Sequence, residues 1–365
     1  MKNLCLFVCI ALVFVCCKKD EEAKMRLRDF KSVEIESIMK DSTLNGRAIE
    51  IIKDSLVVIS TTDNIFYEIE YFDGSYSREI KFAIVSKESG KLGYIRSLAV
   101  TNSNVFFMNI ESPAYIQNIN TQSIDKHSSN YNFQKTILVD NHPKAFYDSM
   151  EFWNDQEGIA IGDPTEGCIS VIITRDGGDT WTKLPCDALP KAKEGEAAFA
   201  ASDTNIAIVG DKVWVATGGK ASRMLYSPDK GYTWEVFDTP IVQGKETTGI
   251  YSIDFYDALN GYGIGGDYTK AADSSANKIR TQDGGKTWQL VGENKSPGYR
   301  SCVQYVPNSG GKELVTIGFK GIDYSNDSGS TWTHLSDEGF YTLRFLNDST
   351  AYAAGRGRIA KLTFK

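Results

Sequence analysis

TQDGGKTW (281–288) recurs as TRDGGDTW (174–181), SPDKGYTW (227–234) and SNDSGSTW (325–332). Each copy reads Ser or Thr, any residue, Asp, any residue, Gly, any residue, Thr, Trp, and four copies of so particular a pattern mark a repeated architecture. The pattern reads as a tight turn between two strands. Asp176, Asp229, Asp283 and Asp327 are placed to bond nearby backbone N–H groups, and the Gly at the fifth position permits φ > 0. Trp181, Trp234, Trp288 and Trp332 then open the return strand and cover the turn with apolar surface. The motif is a structural device. It speaks to architecture and is silent on chemistry.

Working outward, each turn is preceded by a second repeat: a short alternating strand, an Asn/Asp-containing turn and a Gly-rich strand. Its copies begin at Ser149, Ala197, Tyr251, Ser301 and Thr342, and earlier ones without the Trp turn begin at Arg47 and Arg96. Seven units at a period of about 42 to 55 residues suit four-stranded blades. The last unit holds only three strands' worth of chain. KSVEIESI (31–38) alternates like a strand and stands alone before the first unit, so it is expected to supply the missing strand and close the ring. Abundant Gly and aromatic residues without long amphipathic helical patterns give an all-β reading.

The four turns resemble the Asp-box, or bacterial neuraminidase repeat, of sialidases, sortilin-type receptors, some glucan hydrolases and photosystem II assembly-factor propellers. That resemblance implies a β-propeller, here seven-bladed, with the boxes on hairpins away from the functional centre. It leaves the activity open. The ordered string DSMEFWNDQEGIAIGDP, GEAAFAAS, VWVATGG, GIYSIDF, GGDY, GYRS also resembles a propeller family common in Bacteroidetes and related to the photosystem II assembly factors. Its members are often labelled oxidoreductase or glycosyl hydrolase. The match is weakest before Asp140, where the Trp turn is missing.

The amino terminus reads differently from the body. Leu4 to Val15 is an unbroken apolar run of about 12 residues, short of the ~20 that a spanning helix needs, and cysteines follow it. We expect a lipoprotein signal peptide over 1–16, lipidation at Cys17, a tether over 17–30 and the propeller over 31–365. KKDEE (18–22) resembles the export tag of Bacteroidetes surface lipoproteins, or else is a solvated tether, so the expected location is the outer membrane, with exposure at the cell surface under the first of these readings. Of the three cysteines outside the signal region, Cys168 and Cys186 are equidistant from the centre of TRDGGDTW. An antiparallel hairpin would place them opposite each other, either as a disulfide or as two buried thiols. No Cys/His spacing suggests a metal site, and no cofactor is expected. The net charge of -7 argues against nucleic acid as a partner.

In a propeller the first strand of each blade lines the central channel, and loops at its mouth carry function. Arg47, Arg96 and Arg300 stand at equivalent strand starts, interleaved with Asp148, Glu194, Glu196 and Tyr251; Asp163, Asp267 and Tyr268 lie at loop ends. Two readings compete. In one, Arg47, Arg96, Asp163, Glu194, Asp267 and Arg300 form a charged pocket whose arginines clamp a carboxylate or phosphate. In the other, they are a salt-bridge network that fills the channel and holds the blades in register.

Catalysis needs a more specific set. A sialidase would draw on the three arginines with Glu196, Tyr251 or Tyr268, and Asp148 or Asp163, but the Phe/Tyr-Arg-Ile-Pro motif is absent. A two-carboxylate glycosidase would pair an acid of raised pKa with a second carboxylate ~5 or 6.5–9.5 Å away. Asp148, Glu196 and Tyr268 are the catalytic candidates. Gly261, Gly263 and Gly266 spell G-x-G-x-x-G without the strand and helix that place a pyrophosphate, so the spacing is a glycine-rich strand end. The resulting expectation is a monomeric, lipid-anchored binding or assembly protein that holds a protein segment or an anionic glycan-like ligand. The alternative is a glycoside hydrolase.

Overall fold

The computed structural model describes residues 27–53, 56–61, 65–72, 75–83, 94–121 and 135–365. The signal-peptide and Cys17 expectations lie outside the described residues. Antiparallel strands dominate the rest. We number the sheets in chain order, giving each its strands.

Sheet 2 comprises Ile95–Val100, Asn104–Asn109, Ala114–Asn120 and Lys135–Asp140; sheet 3 comprises Tyr147–Phe152, Gly158–Gly162, Ser170–Thr174 and Thr182–Lys183. Sheet 4 holds Ile206–Val209, Lys212–Ala216, Arg223–Ser227 and Glu235–Asp238. Sheet 5 is built on Thr248–Phe255, Gly261–Asp267, Lys278–Thr281 and Gln289–Leu290, extended by the short pair Glu196–Ala197 and Gly218–Gly219. Sheet 6 holds Cys302–Tyr305, Leu314–Gly318, Gly321–Ser325 and Thr333–Ser336.

Sheet 1 contains both ends of the described chain. Val33–Lys53 is continuous: Val33 to Asn45 pairs with Phe364 to Arg356, and Gly46 to Lys53 pairs with Thr61 to Leu56. The N-terminal strand therefore closes on the C-terminal one, as its alternation predicts. The count differs from expectation. The repeat pattern predicts seven separate blades, and the described strands hydrogen-bond into six sheets, because this continuous strand joins the closing unit to the first. Closure starts earlier than the expected boundary at Lys31. Arg28 donates from its backbone N–H to Glu313 Oε1 at 2.6 Å and from Nε to Oε2 at 2.8 Å, and Phe30 is buried against Tyr324 and Phe364. Arg28 and Phe30 belong to the body and not to a free tether.

The apolar cores lie between neighbouring sheets, which makes the arrangement a ring. Phe106 and Ile116 of sheet 2 pack on Met150 and Ile172 of sheet 3; Ile161 and Val171 of sheet 3 pack with Val213 and Leu225 of sheet 4. Ile317 and Tyr324 of sheet 6 meet Ala353 and Leu362 of sheet 1. Buried apolar area of this kind stabilises at roughly 25 cal/mol per Å².

The four Trp turns have the geometry their sequence implies. In each, one Asp oxygen accepts the N–H of the Thr four residues on and the other accepts its hydroxyl, as at Asp283, with 2.9 and 2.7 Å to Thr287. The first hydroxyl of the motif accepts the Gly N–H, 2.9 Å for Thr281 and Gly285. Despite partial desolvation, these bonds hold all four carboxyls below the usual carboxylate range. The fifth-position Gly has a reason beyond its positive φ. A Cβ on Gly178 would meet Phe106 at 2.3 Å, and one on Gly285 would meet Trp214 at 2.8 Å, each residue belonging to the preceding sheet. The turn is thus also the contact through which one sheet rests on the one before it.

Cys168 and Cys186 form a disulfide with Cα atoms 5.5 Å apart. In the chain-entropy picture, a loop of this length stabilises by about 3 kcal/mol. Cys302 is free and buried.

Candidate functional site

The inner strands end on a cavity of about 520 Å³ at one mouth of the channel. Its wall is aromatic: Phe146, Phe199, Tyr251, Tyr268, Tyr299, Phe319 and Tyr341. Tyr251 and Phe199 stack at 4.1 Å, and Tyr299 meets Tyr251 edge-on at 4.8 Å. The Tyr251 hydroxyl donates to the Thr247 carbonyl at 3.0 Å. Arg47, Arg96, the buried Asp148 carboxyl, the exposed Glu246 and the 198–201 alanines complete the lining.

Arg47 reaches this mouth because Gly46 to Lys53 is an inner strand. Its guanidinium lies 3.7 Å above the Tyr341 ring, a cation–π contact, and among the described residues it donates to the Ala201 carbonyl at 3.3 Å. Arg96 enters from the equivalent strand of sheet 2. In both side chains Nε is buried without a hydrogen-bond partner. Burial lowers both guanidinium pKa values, and the positive charge of Arg96 adds to the effect on Arg47.

Asp148 is fully buried at the cavity wall, and neither carboxyl oxygen has a hydrogen-bond partner. Burial, then the neighbouring Asp163 charge, push its pKa well above the ordinary carboxylate value; the Ala200 amide and Arg96 oppose the rise without cancelling it. Asp163 accepts the Ala198 N–H at 2.8 Å, and burial raises it to about 6. It stands behind Asp148 and does not line the cavity.

The remaining predicted residues are elsewhere. Arg300 does not face the cavity: Nε and Nη2 grip Asp323 at 2.8 and 2.7 Å, and Asp323 also bonds His334 Nδ1 at 2.9 Å. Glu196 is not a free carboxylate. It is buried against Arg223, with Nη2 to Oε2 at 2.6 Å, and accepts from the Thr217 hydroxyl at 2.7 Å. Glu194 is exposed, 3.7 Å from Lys220. Asp267 caps a short 3-10 turn by accepting the Thr269 N–H at 3.0 Å, and those local bonds hold its pKa down in spite of desolvation. Of the three catalytic candidates, Asp148 and Tyr268 line the cavity and Glu196 does not.

Of the six residues expected to form a charged pocket, Arg47 and Arg96 line this cavity, and Asp163, Glu194, Asp267 and Arg300 do not. Two of the three arginines thus line it, and aromatic rings make up most of the rest of the wall, with Asp148 and Glu246 as its carboxyls. Tyr299 belongs to the GYRS string and Tyr341 to no motif in the sequence, and each lies just before an inner strand. Their signal was position: each stands at the mouth end of an inner strand.

Below the cavity the channel is plugged by hydroxyls. Ser202 Oγ is 2.5 Å from Thr204 Oγ1, which donates to Ser252 Oγ at 2.7 Å, while the Ser202 hydroxyl donates to the Ser301 carbonyl at 2.6 Å. The Thr342 hydroxyl donates to the Ser202 carbonyl at 2.9 Å. Small polar side chains thus tie the inner strands together across the axis.

Among solved structures, "YCF48 bound to D1 peptide" superposes with a TM-score of 0.62 at 14% identity, covering 93% of this chain and 99% of that one. The WD40 propeller domain of Doa1 gives 0.61 at 10% identity, covering 92% and 97%. The fold is a β-propeller. No protein-family model matches the chain. No curated protein matches it either. The sheets described above are thus propeller blades, and the aromatic cavity sits at one end of the propeller axis.

Proposed function

We propose that this propeller is a binding or assembly protein whose Arg47–Arg96 mouth holds an extended protein segment bearing an acidic group. The observation that carries the reading is the pair of unpartnered, buried Nε groups in an aromatic cup. A guanidinium N–H buried without an acceptor is costly, and a ligand carboxylate supplies that acceptor while the rings cover the adjoining apolar or backbone surface. The peptide-bound state described for YCF48 supports a segment as the ligand. Burial raises the Asp148 pKa and so favours its protonated form, which would act here as a hydrogen-bond donor to a ligand carbonyl.

Arg47→Ala and Arg96→Ala are each expected to weaken binding of a partner segment by about 10- to 100-fold, the range for a hydrogen bond to a charged group. Selection from an acidic peptide library followed by titration measures this. Equal affinity of the wild-type protein and both variants would remove the mouth as the site. The raised pKa of Asp148 favours one second reading, a glycan hydrolase using it as general acid. Glycan turnover abolished by Asp148→Asn would replace the binding proposal. Within the same proposal the protein has Asp-box turns and is exported, processed before Cys17 and held by lipid at the outer membrane. Fatty-acid labelling that persists in Cys17→Ala would contradict the anchor.

A further inference from the structure

The channel has a second mouth, of opposite character. Glu151, Asp254 and Arg344 follow Asp148, Tyr251 and Tyr341 by three positions along the same strands, which at ~3.3 Å per residue places them about 10 Å further along the axis. With Asp203, Gln304 and Trp153 they line a separate cavity of about 410 Å³. Glu50, three positions after Arg47, stands behind it.

Its charges do not balance. Arg344 donates Nε to Glu50 at 2.8 Å and spends its other nitrogens on the Leu343 and Asp203 carbonyls, both at 3.2 Å. Among the described residues no Lys or Arg makes an ion pair with Glu151, Asp203 or Asp254. Asp254 accepts the N–H groups of Phe255 and Tyr305, and Glu151 accepts only that of Phe152. Asp203 is the anomaly. Its residue is 5% exposed, Oδ2 accepts the Leu98 N–H at 2.9 Å, and Oδ1 has no partner. The indole N–H of Trp153 is likewise buried and unpartnered.

We propose that this mouth binds a nitrogen cation, a guanidinium or ammonium group on a ligand that enters from the side opposite Arg47 and Arg96. The chemistry selects that class. Among the described residues no three acidic or other ligating side chains lie close enough to hold a metal ion. Separated carboxylates beside an indole fit a cation that spreads several N–H donors and presents a flat or methylene surface to the ring. Arg344 already occupies this environment as a guanidinium.

Protonation sharpens the test. Burial raises Glu50, raises Asp203 well above the usual value, and takes Asp254 to about 6; burial and then the Glu50 charge take Glu151 to about 7. The facing groups are Glu50 and Arg344 of sheet 1, Glu151 of sheet 3, Asp203 before sheet 4, Asp254 of sheet 5, and Gln304 and the buried Cys302 thiol of sheet 6; sheet 2 contributes the Leu98 N–H. A cation displaces protons from these carboxyls, so binding tightens as pH rises from about 6 to 8.

Calorimetric titration of the full-length protein with agmatine, spermidine and a blocked Ala-Arg-Ala peptide decides the matter. At least one is expected to bind and to release protons. Glu151→Gln and Asp254→Asn should each weaken it at least 10-fold, and Arg47→Ala should leave it unchanged. Binding of the peptide alone identifies a partner's side chain as the source; binding of the free amines identifies a small polyamine. Trp153→Leu, at the rim, carries the same expectation should a carboxyl variant fail to fold. No heat with any of the three, affinity unaltered in the folded variants, or calcium binding tighter than every amine overturns the proposal.

Discussion

Glu196→Ala is expected to destabilise the protein by about 3–5 kcal/mol, the cost of breaking a buried ion pair by removing one partner. The Glu196 side chain is wholly buried and satisfies four donors: Arg223 Nε at 3.0 Å and Nη2 at 2.6 Å, the Thr217 hydroxyl at 2.7 Å, and the Lys193 N–H at 2.8 Å. Without it, Arg223 keeps only the Lys191 carbonyl, at 2.7 Å. A buried guanidinium would then lack its counter-charge, and its desolvation would go uncompensated. A drop of roughly 4–7 °C in the melting temperature should follow for a propeller of this length. The Glu196→Ala, Arg223→Met double variant should recover much of it, because an apolar pair has no charge to strand. An unchanged melting temperature with altered ligand binding would return Glu196 to the site.

Trp214→Ala should cost about as much, roughly 3–5 kcal/mol, by a different route. Trp214 is 0% exposed, stacks on Phe255 at 3.7 Å, and donates its indole N–H to the Gly284 carbonyl at 2.8 Å. Truncation leaves a cavity between sheets 4 and 5 and an unpaired carbonyl in the 281–288 turn. The loss therefore falls on the interface, where burial and the hydrogen bond act together. The midpoint of urea unfolding measures it. A loss below about 1 kcal/mol would mean that the turn does not lean on its neighbour as its geometry requires.

These two residues show what kinds of inference reach how far. From the sequence Trp214 is open to two readings, a ring that stacks on a sugar or peptide and a residue buried between blades, and it lies buried between sheets 4 and 5. Glu196 reads as a rim carboxylate from its place at a strand start. The side chain instead turns back to Arg223, because the short pairing of Glu196 with Gly219 brings the Arg223 strand within reach. Arg300 is the same case: the register that pairs Cys302 with Ile317 sets it beside Asp323 of the next strand but one.

Conversely, the Arg47–Tyr341 contact joins residues from opposite ends of the sequence. It exists only once Val33–Lys53 has closed the ring on Thr350–Phe364. The acidic second mouth is likewise invisible in one dimension, since its carboxyls come one to a unit, Glu50, Glu151 and Asp254 within ordinary alternating strands and Asp203 in the bend before one.

By itself the sequence determined the turns, the alternation of inner and outer strands, and the strand that closes the ring. Each of these rests on interactions between near neighbours in the chain or on a period that repeats, such as the Asp283 bonds to Thr281 and Thr287. Tertiary structure alone decided the six-sheet count, the partners of Arg300 and Glu196, and the opposite character of the two mouths. Those depend on which side chains from separate sheets converge at the axis and on which charges are neutralised there. Burial and pairing are properties of the assembled ring and not of any one unit.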